Sequence, residues 1–189
     1  MAKAAGEKEV KHTPSLSADV PPAKQAETKK DQHQKGKLQV VEFLLGKEHY
    51  AVDLFDVREV VEYTSITKLP NTPSYMKGII DLRGEITTII DLKERLNILE
   101  KSDIPEENSR IIVLDEKITK AKTGIMVDDV LAVSTFERGD IDSTSASGAR
   151  EDAAILGIIK KKIKEKEHER HELIIWIDIQ HLLMDIGEG

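Results

Sequence analysis

The chain has 189 residues, a net charge of −7 at neutral pH and no cysteine, which excludes disulfides, thiolate zinc sites and cysteine nucleophiles. No apolar run approaches the roughly 18 residues of a membrane-spanning helix, and the N-terminus lacks the apolar segment of a secretory signal. We therefore expect a cytoplasmic protein, not inserted in a membrane, with one or two compact units.

Residues 1–37 differ in composition from the rest of the chain. They contain 8 lysines, 5 acidic residues and three prolines, but no Phe, Tyr or Trp. Such a segment cannot bury enough apolar surface to offset the entropy lost on ordering, so we predict a disordered tail. The remaining residues, 38–189, of which 38–186 are predicted to fold, carry 20 basic and 30 acidic residues. This excess of acid argues against nucleic acid as the main ligand.

The first predicted unit, over about 38–97, begins with a β-hairpin. Residues 38–45 and 49–54 are rich in apolar and β-branched side chains, and the polar turn Gly46-Lys47-Glu48 separates them. An extended segment follows over 57–61. These three segments predict consecutive strands.

Two further signals complete this unit. Thr72-Pro73 is typical of a helix start and Gly78 of a helix stop, so we expect one helical turn over 73–77. Two strands then flank the turn Arg83-Gly84-Glu85, and the second of them alternates apolar and polar residues over 86–92.

The second predicted unit, over about 109–177, is also built from short strands. A Gly/Ser/Asp-rich loop interrupts it over 139–152, and a terminal helix follows at about 178–184. Its predicted strands are 110–114, 123–127, 131–136, 155–163 and 172–177.

The two units contain an internal repeat. Gly78-Ile79-Ile80 leads to Ile90-Asp91-Leu92, just as Gly157-Ile158-Ile159 leads to Ile177-Asp178-Ile179. Upstream, Val52-Asp53 is echoed by Val127-Asp128. A repeat of this length, with many closely spaced short strands, indicates one small β-barrel made twice. The second hairpin is eight residues longer, and its highly charged extension within 160–171 is most simply a solvated edge.

No set of residues indicates catalysis, and we predict neither a cofactor nor a metal ion. His168 and His171 are spaced by three, whereas the helical zinc motif needs four. Asp91 and Asp178 follow strands in matching positions, and helix capping explains both more simply than acid–base chemistry. Arg83, at a tight turn, is suited either to bidentate contact with a partner or to plain exposure.

Several sequence blocks together resemble a known family. They cover residues 38–184 in the family's order, and the block from Pro70 to Gly84 is the most specific. The blocks are Tyr50-Ala51-Val52-Asp53, Val57-Arg58-Glu59-Val60, Leu69-Pro70-Asn71-Thr72-Pro73, Lys77-Gly78-Ile79-Ile80-Asp81-Leu82-Arg83-Gly84, Ile90-Asp91-Leu92, Gly124-Ile125-Met126-Val127-Asp128 and Gly157 with Ile177-Asp178. In these blocks the chain resembles the CheW family of chemotaxis coupling proteins.

The resemblance implies an all-β fold of two five-stranded, SH3-like β-barrels packed around a shared apolar seam. It also implies a non-enzymatic adaptor that links the cytoplasmic tips of chemoreceptors to the regulatory domain of the histidine kinase CheA. The implied receptor-binding residues are Glu59, Gly78, Arg83, Val133 and Gly157. The implied kinase-binding residues are Val41, Leu54, Val57 and Val60.

Two departures from the family and three rival functions stay open at this point. Asp81 stands where the family commonly has Asn, and it could either hold the Arg83 guanidinium or weaken the approach of an acidic partner. The longer hairpin after Gly157 could narrow a receptor groove. The rivals are a CheW-like regulatory or scaffold module of another two-component pathway, an acidic β-barrel that binds nucleic acid, and a hydrolase using Asp91 or Asp178.

Overall fold

The structure, a computed structural model, describes residues 36–100, 102–119, 121–143, 154–164 and 169–184. Nearly all of the predicted tail, most of the predicted 139–152 loop and the tip of the charged hairpin, including His168, lie outside these residues. Two α-helices are described, α1 (Leu92–Leu96) and α2 (Ile179–Leu182). The strands are β1 (Lys37–Leu45), β2 (Glu48–Asp53), β3 (Val57–Glu62), β4 (Met76–Leu82), β5 (Glu85–Asp91), β6 (Arg110–Leu114), β7 (Thr123–Val127), β8 (Asp129–Glu137), β9 (Ile141–Asp142), β10 (Ile155–Lys164) and β11 (Glu169–Ile177).

The strands form two sheets, which confirms the predicted all-β fold with short helices. The six-stranded sheet has the order β8-β1-β2-β11-β10-β9, and the five-stranded sheet has the order β3-β6-β7-β5-β4. Each sheet contains one parallel pair, β11 with β2 in the first and β5 with β7 in the second. The two-residue strand β9 is the sixth strand of a sheet for which five strands were predicted.

The sheets do not follow the predicted division of the chain into 38–97 and 109–177. Strands β1 and β2 join the six-stranded sheet with β8 to β11, whereas β6 and β7 join the five-stranded sheet. Each exchange rests on one parallel pair and on one antiparallel pair between strands far apart in the chain, β1 with β8 in the first sheet and β3 with β6 in the second. Turn signals reveal only local antiparallel pairing, so the sequence pattern could not predict this exchange.

The internal repeat is nevertheless visible strand for strand. The order β3-β6-β7-β5-β4 corresponds to β8-β1-β2-β11-β10, with the parallel pair in the same place in both. Both hairpins carry a register shift just before a glycine, at Gly78 and at Gly157. Asp91 and Asp178 then cap the helix that follows each hairpin.

Apolar side chains are buried on both faces of each sheet. A cluster between the sheets, here called the shared cluster, takes Phe43 and Ile177 from one sheet and Ile90 and Ile125 from the other. Each sheet also folds over a cluster of its own, at about 1.5–3 kcal/mol per buried large side chain. The six-strand cluster contains Leu38, Val40, Ala51, Phe136, Ile159 and Ile174. The five-strand cluster contains Ile80, Ile89, Ile111, Val113 and Met126.

The predicted helical turn over 73–77 is wrong. The Thr72 hydroxyl donates to the carbonyl of Leu69 instead of capping a helix, and a single turn closed by Met76 N–H on Pro73 O leads directly into β4. Gly78 lies inside β4, where an isolated bridge between Thr67 and Ile79 holds the strand. This long-range pairing overrides the local helix signals.

Candidate functional site

The turn between β4 and β5 presents Arg83. Arg83 and Gly84 both have positive φ, 56° and 84°, as in the two-residue turns that match the twist of a hairpin. The carboxylate of Asp81 accepts a hydrogen bond of 2.6 Å from Gly84 N–H. Asp81 thus stabilises the turn that displays the arginine, a third role beside the two considered from the sequence.

Arg83 forms an ion pair with Glu59 of β3. One guanidinium nitrogen lies 2.9 Å from Glu59 Oε2 and the other 3.4 Å from Oε1, which is a bidentate arrangement. The pair joins the turn after edge strand β4 to the opposite edge strand β3 of the same sheet. The Arg83 side chain remains 75% exposed, so the pair contributes only about 0–1 kcal/mol to stability. Its remaining donors are available to a partner.

Gly78 and Gly157 occupy close backbone approaches. Gly78 has φ +145°, and an added Cβ would overlap the carbonyl of Thr67 and come within 2.8 Å of Ile66. At Gly157 an added Cβ would meet the carbonyl of Asp142 at 3.1 Å. Both glycines therefore have a structural requirement that stands independently of receptor binding.

The structure brings together only part of the implied receptor-binding set. Glu59 and Arg83 are in direct contact. Val133 lies on edge strand β8, opposite Val41 in register, and is 60% exposed. Among the hydrogen bonds and ion pairs of the described residues, none joins Val133 or Gly157 to the Glu59–Arg83 pair. A shared role in receptor binding stays a prediction.

The implied kinase-binding set needs one correction. Val41 is buried at 1% exposure within the shared cluster, because both faces of the six-stranded sheet are covered. Its side chain is therefore a core element and not a contact surface. Leu54 and Val57 are half-buried against the same cluster, whereas Val60 points outward with 41% exposure.

A buried acid was missed by the sequence analysis. Glu42 in β1 has 0% exposure, and its Oε2 lies 2.6 Å from the ammonium of Lys161 in β10. This pair ties the base of the charged hairpin to the interior of the six-stranded sheet. The available signal was one acidic residue inside the apolar run 40–45. Beyond this pair, Lys162, Arg170 and His171 are exposed.

The candidate catalytic acids are helix caps. Asp91 Oδ1 accepts from Lys93 N–H at 3.1 Å and Glu94 N–H at 3.2 Å. Asp178 accepts from His181 N–H at 3.0 Å. Each carboxylate therefore satisfies otherwise unpaired donors of a helix start. Within the described ranges, no group of three or more His, Asp or Glu side chains could hold a metal ion.

One ionic contact ties the linker after α1 to the five-stranded sheet. The ammonium of Lys77 lies 2.8 Å from Glu106 and 3.6 Å from Asp91. Partial burial alone would lower the pKa of Lys77, but the hydrogen bond to Glu106 and the two nearby carboxylates outweigh burial and raise the pKa. The same hydrogen bond lowers the pKa of Glu106 below its ordinary value.

Comparisons with known proteins match nearly all of the folded region. Residues 39–187 match the CheW-like domain. The chemotaxis protein CheW of Klebsiella aerogenes is 31% identical over 144 residues, which cover 75% of this chain and 78% of that protein. CheW of Bacillus subtilis is 31% identical over 124 residues, covering 65% and 77%.

A solved structure agrees with these sequence matches. The scaffolding protein TtCheW from Thermoanaerobacter tengcongensis superposes with a TM-score of 0.63 at 36% identity, covering 77% of this chain and 87% of that one. None of the described helices is long and apolar enough to cross a membrane. The chain belongs to the CheW-like family of chemotaxis proteins.

Proposed function

We propose that this chain is a non-enzymatic adaptor that couples chemoreceptors to the histidine kinase CheA. The observation that carries the proposal is the CheW-like match over 39–187, together with an exposed arginine that the fold holds in place at the position implied to bind receptors. The family membership also favours an adaptor over the nucleic-acid-binding and hydrolase alternatives, and the capping roles of Asp91 and Asp178 agree with it.

The receptor-contacting surface centres on Arg83. Its guanidinium is held by Glu59 but largely solvent-facing, so the partner meets a pre-positioned donor instead of a mobile side chain. Val133 adds exposed apolar area on the other sheet. A helical receptor tip that lies across both sheets would contact both features, in the manner of a helix in a groove.

The kinase-contacting surface centres on Val60 of β3. Its neighbour Val61 packs on the five-strand cluster, so the strand's alternation directs Val60 outward. The half-buried residues Leu54 and Val57, which precede Val60 in the chain, would extend this surface into an apolar patch. Two partners bound at separate surfaces would be held in fixed geometry, and repeated contacts within receptor clusters would raise their effective concentration.

The receptor half of the proposal is tested with Arg83 variants. Binding to a receptor cytoplasmic fragment and to the CheA regulatory domain is measured separately by isothermal titration calorimetry. Arg83→Ala is expected to weaken receptor binding about tenfold, since a charge-assisted bond is lost, and to leave kinase binding unchanged. Lys47→Ala, at another exposed ion pair, is the matched control.

A charge exchange separates direct contact from support. The double variant Glu59→Arg with Arg83→Glu retains the ion pair but reverses the exposed charge. It should not restore receptor binding if the guanidinium itself meets the receptor. Full restoration of receptor binding would show that the ion pair only connects the two sheet edges. An equal loss of receptor binding and kinase binding in Arg83→Ala would refute separate surfaces.

The kinase half is tested at Val60. Val60→Asp is expected to weaken binding to the kinase domain about a hundredfold, because it places a charge in an apolar contact, with an unchanged melting temperature. Leu99→Asp, at a side chain that is 95% exposed, is the control. If Val60→Asp bound the kinase domain as tightly as the wild type, β3 would not belong to the kinase-contacting surface.

A further inference from the structure

A cavity of 690 Å³ opens at one end of the six-stranded sheet. The start of β1, the turn at Arg138 and Gly139, strand β9 with Ser143, and single residues from β10 and β11 line it. Its volume lies within the range of small-molecule sites, about 300–1,000 Å³. Neither the receptor-contacting nor the kinase-contacting residues proposed above are among those that line it.

The cavity has an apolar floor and a cationic rim. Leu38, Ile141 and Trp176 line it and also pack in the six-strand cluster, so the cluster itself is the floor. Three cations, from Lys37, Arg138 and Lys160, stand around it. Lys160 is paired with Asp142 at 3.2 Å, whereas Lys37 and Arg138 have no ion-pair partner among the described residues.

The internal repeat shows that the fold does not require this cavity. The position of Trp176, two residues before the helix cap Asp178, corresponds to that of Ile89 before Asp91. Ile89 is fully buried at 0% exposure and closes the five-strand cluster. The position of Lys160, three residues after Gly157, corresponds to that of the acidic Asp81. The five-stranded half thus packs the aliphatic side chain of Ile89 at this position, whereas the six-stranded half has the indole of Trp176 beside a cavity lined by basic residues.

We propose that this cavity binds a small anionic amphiphile, with a flat apolar group on Trp176 and an anionic head, such as a phosphate, at Lys37 and Arg138. Charge supports this ligand class, because Lys37 and Arg138 both line the cavity without an ion-pair partner among the described residues, in a protein of net charge −7. Guanidinium and ammonium groups recognise phosphate and carboxylate, and an indole offers a large apolar face. This site does not depend on the adaptor function.

The single tryptophan of the chain makes the test direct. The full-length protein, labelled with ¹⁵N, is titrated with 2-naphthyl phosphate while the one indole N–H resonance is followed by NMR. A saturating shift with a dissociation constant below about 1 mM is expected. The uncharged 2-naphthol should bind at least about fivefold more weakly, since it lacks the charge-assisted contacts.

Rim variants assign the head group. Arg138→Gln and Lys37→Gln are each expected to weaken 2-naphthyl phosphate about five- to tenfold, and Lys47→Gln, remote from the cavity, should have no effect. An indole resonance that does not move up to several millimolar ligand would overturn the proposal. So would equal affinity for 2-naphthol, or a shift that survives both rim substitutions.

Discussion

The five-stranded and the six-stranded halves of the molecule share one strand order but differ in the turn of one hairpin and in the closure of their own clusters. Both contain a glycine at a register shift, an aspartate cap and a central parallel strand pair. In the five-stranded half, the β4–β5 hairpin has the two-residue turn of Arg83 and Gly84, and Ile89 closes the five-strand cluster. The six-stranded half has a longer, charged hairpin and a cavity at Trp176.

This difference separates what the fold needs from what each half adds. Features present twice satisfy backbone geometry, whereas features present once are either buried contacts, such as the Glu42–Lys161 pair, or exposed groups that a ligand can reach. Arg83 at one end and the cationic cavity at the other are such single features. Replacing equivalent residues in the two halves therefore tests the distinction directly.

The largest difference is expected between the two glycines. Gly78→Ala should lower the free energy of unfolding by about 3 kcal/mol, because it combines a positive φ with overlap on the Thr67 carbonyl. Gly157→Ala should cost about 1 kcal/mol, since its added Cβ only presses on Asp142. Urea unfolding measures both. Equal losses would mean that the two halves do not differ at this point.

The second largest difference is expected when the equivalent residues Ile89 and Trp176 are each replaced by the other's residue type. Ile89→Trp should destabilise by about 2–3 kcal/mol, because it overfills a position with no exposed surface. Trp176→Ile should cost about 1 kcal/mol, since the indole already borders an open cavity. Thermal unfolding followed by circular dichroism compares the two. A larger loss at Trp176 would indicate that the indole closes its cluster as Ile89 does.

The helix caps should differ by less. Asp91→Ala removes two hydrogen bonds to helix N–H groups and a neighbour of Lys77, so a loss of about 2 kcal/mol is expected. Asp178→Ala removes one cap bond and should cost about 1 kcal/mol. Chemical denaturation provides the measurement, and the reverse order would contradict the assignment of these contacts.

The smallest effect concerns an ion pair of the five-stranded half alone. The lowered pKa of Glu106 means that its contribution to stability is complete above the ordinary pKa of 4.5 and disappears as pH falls through the lowered value. Between pH 6 and pH 3, the wild type should therefore lose up to about 1 kcal/mol more than Glu106→Gln. Parallel pH profiles of the two proteins would contradict a stabilising Lys77–Glu106 contact.

Local patterns predicted much of the fold. Strands β6 and β7 match their predicted bounds, the hairpin at Gly46 is present, and Asp91 and Asp178 cap helices as expected. These features depend on alternation, turn chemistry and capping, which neighbouring residues determine. The strand exchange between the sheets was not predictable, because pairing between strands far apart in the chain, parallel or antiparallel, has no local signature.

The candidate surfaces were predicted less completely. The ion pair of Glu59 with Arg83 joins two residues that the family resemblance had placed in one set. Val41 entered the kinase-binding set only through the family resemblance, and the structure buries it because β1 is apolar and covered on both faces. The cavity at Trp176 combines residues from five separate segments and has no sequence signature.

The central claim is that two partners occupy separate surfaces of one chain. Sedimentation velocity of the full chain mixed with the CheA regulatory domain and a receptor fragment tests it most directly. A ternary particle is expected, with the affinity for either partner changed less than about threefold by the other. Displacement of one partner by the other would contradict the account.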